Sequence, residues 1–159
     1  MKNLFFTLIL ILVSSVLSEL AEAQNLTDKK VESIKTEVET FFQEMLKHGE
    51  RLDYSKLTLG VDDKKSAGFI TNGKYYSQYS SLINDMKLNA QGVDHQEFSI
   101  KEKKTTVLSE NIVLMTVSGT AKATLTDTRE ITIGIHWSFV FEKINNTWKV
   151  IHSHQSREF

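Results

Sequence analysis

Three histidines are the residues of this sequence best suited to chemistry. His152 and His154 stand two apart in "TWKVIHSHQSREF", and His136 lies one strand earlier in "GIHWSFVF". Three neutral imidazoles can hold zinc with a water as fourth ligand, and a single ring titrating near neutrality can carry a proton. Residues i and i+2 of a strand share a face but stand roughly 7 Å apart along it. Zinc needs each nitrogen within about 2.1 Å, so both rings would have to bend to one point and be oriented by a further carboxylate. Glu97 is the one candidate for that role, and the sequence does not fix its place. The spacing therefore favours structural or interface histidines. His136, His152 and His154 remain the metal candidates, and neither a metal nor another cofactor is expected. Asp53, Asp62 and Asp63 follow the first predicted helix, where acidic residues are usually solvated. Tyr54, Tyr75 and Tyr76 suit ligand contact better, since a phenol combines an apolar body with a hydrogen-bonding tip. There is no Gly-rich phosphate loop, no G-x-S-x-G turn and no H-E-x-x-H helix.

The chain that must position these groups begins "MKNLFFTLILILVSSVLSELAEAQ", with Lys2, an apolar run from Leu4 to Leu17 and small residues at Ala21 and Ala23. This order predicts a secretory signal peptide over residues 1–23, cleaved after Ala23. The run is shorter than the ~20 residues that span a bilayer, so the expected product is exported, periplasmic or secreted, with no membrane attachment after cleavage. Cleavage removes Lys2, Glu19 and Glu22 from totals of 19 basic and 20 acidic residues, leaving a formally neutral domain over residues 24–159. Without a basic excess, the attraction that supplies nonspecific nucleic-acid affinity is missing, and no nucleic-acid partner is expected. The length suits one domain with one core. Cysteine and proline are absent, which excludes disulfides, thiolate chemistry and Pro-rich linkers.

Apolar residues from Val31 to Leu46 recur at helical spacing, with Thr27 placed to cap the start and Gly49 to close the end. "ERLDYSKLTLG" suggests a short helix or turn. Asn72-Gly73 marks a tight hairpin in "AGFITNGKYY", and Tyr79, Leu82, Ile83 and Met86 mark a further helix ending before Gly92. Strands follow at about 96–108, 112–126, 130–144 and 147–156, with clear alternation at Ile131, Ile133, Ile135, Trp137, Phe139 and Phe141. Helices first and long antiparallel strands afterwards is an α+β order. Helices covering one face of a strongly curved sheet would enclose a cone-shaped space.

This order, closing on "FVFEKINNTWKVIHSHQS", resembles the nuclear transport factor 2-like superfamily and, within it, SnoaL-like proteins. The final strand is also similar to the association domain of calcium/calmodulin-dependent kinases. Gly73, Phe139, Trp148, His152, His154 and Ser156 carry the resemblance. It implies a cone-shaped, curved antiparallel sheet with helices on its concave face (cystatin-like), and a homodimer paired through the outer face. It does not imply one activity, because the fold hosts isomerases, dehydratases, cyclases, binding proteins and assembly modules.

Which residues face the cone depends on the turn at Asn145-Asn146. A two-residue hairpin would set Phe139 opposite His152. A three-residue loop over Ile144, Asn145 and Asn146 would set Phe139 opposite Ile151 and Trp137 opposite Ser153. Asn-Asn is a weaker two-residue signal than Asn-Gly, and the resemblance implies that the position of Gln155 lines the cavity. Both favour the longer loop. Ile151, Ser153 and Gln155 then face inward, and His152 and His154 lie outside with His136. The expected function is binding of a small, mostly apolar molecule. Trp137, Phe139, Met115 and Phe42 form the walls, and Gln155, Ser153 and Tyr75 give polar contacts. No carboxylate falls among the assigned inward positions, so the sequence identifies no catalytic residue and leaves turnover open. The alternatives are a non-catalytic oligomerisation module and a proton-transfer isomerase, dehydratase or cyclase.

Overall fold

The computed structural model describes residues 26–158; the expected signal peptide lies outside the described residues. Helix α1 (Asp28–Glu50) starts where Thr27 Oγ1 accepts the Lys30 N–H at 3.3 Å. Its stripe of Ile34, Val38, Phe42 and Leu46 is buried, each such side chain contributing about 1.5–3 kcal/mol by leaving water. Gly49, expected to end the helix, is still inside it. A Cβ there would stand 3.0 Å from the Phe98 ring, so glycine serves close packing, and the left-handed residue is Leu52 at φ 56°. Asp53 caps the short helix α2 (Tyr54–Leu59) by accepting the Lys56 N–H at 3.1 Å.

Strands β1 (Phe69–Thr71) and β2 (Lys74–Tyr76) form the expected hairpin, with both Asn72 and Gly73 at positive φ. Helix α3 (Tyr79–Asn89) has no cap from its own Gln78; Asp63 instead accepts the Tyr79 N–H at 2.6 Å. The long strands are β3 (Val93–Ser109), β4 (Ile112–Leu125), β5 (Glu130–Ile144) and β6 (Thr147–Glu158). The sheet order is β2-β1-β6-β5-β4-β3. All pairs are antiparallel except β1 with β6, which is parallel, so the α+β sheet is mixed, curved and unclosed. Bulges bend and twist strands. Three interrupt the β3–β4 register and one interrupts β5–β6.

The core lies between α1 and the concave face, where Phe42 meets Phe139 at 5.4 Å and Phe41 meets Phe141 edge-on at 6.0 Å. Polar straps hold the helix on both sides. Glu37 accepts from Lys143 Nζ at 2.6 Å and Trp148 Nε1 at 3.0 Å. Glu39 accepts from Lys103 Nζ at 2.6 Å and Thr105 Oγ1 at 2.8 Å.

The expected β5–β6 turn is corrected. Ile144 pairs with Thr147, leaving a two-residue turn in which Asn145 and Asn146 have φ 49° and 60°, as a type I′ hairpin requires. A bulge at Ile151 then shifts the register, so Phe139 faces Ser153 and Trp137 faces Gln155. Unbroken alternation along β6 would put Trp148 and Val150 on the same face as His152 and His154. The extra residue puts them in the core instead, 5% and 1% exposed. Ile151 is half-buried in the bulge, and its carbonyl accepts the Ala67 N–H at 2.9 Å. That bond belongs to the segment after α2, which joins the free edge of β6 through Gly60, Val61 and Asp62.

Candidate functional site

The concave face opens beyond the end of α1 into a cavity of about 400 Å³ roofed by α3. Ala121 and Ala123 of β4 and Ile131, Ile133 and Ile135 of β5 line its floor. The alanines leave room that larger side chains fill further along β4, at Val113, Met115 and Val117. A second void of about 70 Å³ lies deeper, between Phe42, Leu46, Leu57, Val61, Phe139 and Val150. Met86, Phe98, Trp137 and Gln155 line both spaces. Trp137 packs edge-on against Phe98 at 5.4 Å and against Phe139 at 6.2 Å, so this wall is aromatic and continuous.

Polar residues complete the lining of the outer cavity, among them Asn72, Asn89, Gln91, Gln96, Lys122 and Arg157. Gln155 Nε2 donates to Ser153 Oγ at 3.4 Å, and Ser153 is 1% exposed. At the outer end Tyr76 donates its phenolic O–H to Asp85 Oδ2 at 2.7 Å, and Lys74 Nζ donates to the same oxygen. The Lys74 and Tyr76 bonds hold the Asp85 carboxyl below its usual range. Burial, with the Asp85 charge, pushes the Tyr76 phenol up. Burial also raises Tyr54, at the cavity wall. Asp85 is therefore ionised at neutral pH and already bonded, which makes it a weak proton acceptor.

Of the expected binding residues, Trp137 and Gln155 line both spaces, while Phe42, Phe139 and Ser153 line the deeper void. Met115 is fully buried in the core and borders neither. Tyr75 requires correction. Pairing across the hairpin aligns Phe69 with Tyr76 and Ile70 with Tyr75, so Tyr76 joins buried Phe69 inside. Tyr75 lies outside, 62% exposed, against Gly68, where a Cβ would stand 2.4 Å from its ring. The signal was present: Asn72-Gly73 as a two-residue turn fixes that register. Asp85 was missed because its helical neighbours Leu82, Ile83 and Met86 mark the buried face, and only the fold turns β2 toward α3. Asp62 and Asp63 cap local N–H groups, of Lys64 and Lys65 and of Tyr79 respectively.

The three histidines lie on the convex face. His152 Nδ1 donates to the Gly68 carbonyl at 2.7 Å, and His136 Nε2 lies 3.7 Å from Glu158. His154 pairs across from Ser138 and is exposed. Among the described residues no three His, Asp or Glu side chains are grouped to hold a metal ion.

This architecture is the nuclear transport factor 2-like fold. A nuclear transport factor 2-like superfamily protein from Salmonella enterica serovar Typhimurium aligns with a TM-score of 0.70 at 16% identity, over 81% of this chain and 94% of its own. A proposed scytalone dehydratase from Novosphingobium aromaticivorans aligns with a TM-score of 0.71 at 8% identity, covering 84% and 89%. A proposed calcium/calmodulin dependent protein kinase II association domain from Xanthomonas campestris gives 0.66 at 14% identity, covering 76% and 84%. No protein-family model and no curated protein matches the sequence.

Proposed function

We propose that this protein binds a small, mostly apolar molecule in the cone without turning it over. The observation that carries the reading is the 400 Å³ cavity, within the size range of small-molecule sites, with a floor of Ile and Ala, a wall of Phe98 and Trp137, and polar residues completing the lining. Binding is favoured over proton transfer because Asp85, the carboxylate at the cavity, is held ionised by two donors. Proton-transfer enzymes of this general kind need a base tuned toward the working pH. Export to the periplasm or medium, from the leader-like N-terminus, is part of the proposal. So is a homodimer through the convex face, whose cross-strand pair Leu114 and Val140 offers apolar surface among polar neighbours. Native mass spectrometry of the protein purified gently from its host tests all three. The expected spectrum is a dimer lacking residues 1–23 and carrying an organic adduct. A bare assembly whose Gln155→Leu variant binds small molecules no differently from wild type would instead identify an oligomerisation module.

A further inference from the structure

The inner space has a polar lining as well as an apolar one, with Tyr79, Ser153 and Gln155 among its residues. Resting on the binding reading above, we infer that the bound molecule carries a hydrogen-bond-accepting oxygen, as a ketone does, which enters the inner space and meets the hydroxyls of Tyr79 and Ser153. Tyr79 opens α3, where Asp63 accepts its backbone N–H at 2.6 Å. Its ring packs on Phe69 at 5.1 Å, and Phe69 pairs with Ser153 across β1 and β6. The phenol and the serine therefore border the inner space as near neighbours.

Tyr79 is 5% exposed, yet its hydroxyl has no hydrogen-bond partner among the described residues. A buried phenol normally finds one. Among the described residues, the side-chain atom that is both unpartnered and sealed from open space is His48 Nδ1. The Tyr79 hydroxyl thus reaches open space, and the space that Tyr79 lines is the inner one. Burial, with the Asp63 charge, pushes the phenol up, so the group keeps its proton and can donate. Ser153 is the second donor. Its Oγ accepts from Gln155 Nε2 at 3.4 Å, and its own proton goes to no group among the described residues. Two buried hydroxyls with protons unspent favour an acceptor, because a buried polar group without a partner is costly. A ketone oxygen has two lone pairs and can accept from both. The inner space, about 70 Å³, has room for that oxygen and adjoining carbons. Met86, Phe98 and Trp137 line both spaces, so the rest of the molecule lies along the aromatic wall.

Titration of the purified protein with 1-indanone and indane, one ring system with and without the oxygen, tests this assignment by tryptophan fluorescence. Tyr79→Phe is expected to weaken 1-indanone severalfold, the worth of one hydrogen bond, and to leave indane unchanged. Ser153→Ala should act in the same direction. The infrared carbonyl band of bound 1-indanone should lie at lower wavenumber in wild type than in Tyr79→Phe. Without ligand, Tyr79→Phe should unfold at an unchanged or higher denaturant concentration, since no bond within the protein is lost. A lower midpoint would make the hydroxyl a structural group and overturn the assignment. An equal effect of Tyr79→Phe on both compounds, or an unmoved carbonyl band, would mean that water keeps the two donors. Either result overturns the assignment while indane binding leaves the pocket standing. If neither compound binds wild type, the binding reading falls with it.

Discussion

Tyr76 belongs both to the core and to the cavity wall. Its ring is buried while its hydroxyl bonds to Asp85 at the cavity edge. Tyr76→Phe keeps the buried ring, so unfolding by denaturant should show a loss of only about 0.5–1.5 kcal/mol, the usual net worth of one hydrogen bond. Phe42 is the opposite case. It is fully buried against Phe139, and Phe42→Ala should cost about 3–5 kcal/mol by the same measurement. A cost below about 1 kcal/mol would mean that α1 does not pack on the sheet as described. Sequence periodicity identified Phe42, Trp137 and Phe139. It could not separate Tyr75 from Tyr76 without the hairpin register, nor reveal Asp85, whose partners come from another element.

At the scale of elements, small positions decide which faces meet. Asn146 occupies left-handed backbone at φ 60°, where glycine carries less steric cost. Asn146→Gly should therefore raise stability by up to about 1 kcal/mol, and Asn146→Val should lower it, read as opposite shifts of the denaturation midpoint. Gly119 lies where β3 bulges between Ile100 and Glu102. A Cβ there would stand 2.1 Å from the Ser99 carbonyl oxygen, so Gly119→Ala must spread the β3–β4 pair, at a cost on the order of 1–3 kcal/mol. The bulge at Ile151 is the most consequential of these features. The two-residue turn alone would have set Phe139 opposite His152. The inserted residue turns Ser153 and Gln155 inward and the histidines outward, an arrangement the sequence supported for a different reason.

The whole molecule is held together by α1 lying across the sheet, tied to β5 and β6 through Glu37 and to β3 through Glu39. The Lys143 and Trp148 bonds lower Glu37. At Glu39 burial works to raise the carboxyl, and the Lys103 and Thr105 bonds outweigh it. Folded values below the unfolded ones mean that this stabilisation is complete above the ordinary glutamate range near ~4.3. It is lost as pH falls through the lowered values. Denaturation midpoints should hold from neutral pH to about 5 and then decline, and the double variant Glu37→Gln, Glu39→Gln should show a shallower decline. An identical acid limb in the variant would remove these straps from the account.

Local chemistry by itself determined a great deal: the amphipathic α1, the glycine turn after Asn72, the alternating β5, and an α+β order that resembles one superfamily. These follow from periodicity and turn propensity, which act over a few residues and are written in the residues concerned. Tertiary structure decided which partners those elements found. It brought Tyr76 and Asp85 together at the cavity and placed Arg157 at the same opening. It also settled the facing of β6 through a bulge accommodated by the chain that follows α2. The sequence alone could not specify these outcomes, because each depends on pairings between distant segments, and one extra residue in a strand exchanges everything beyond it between core and solvent.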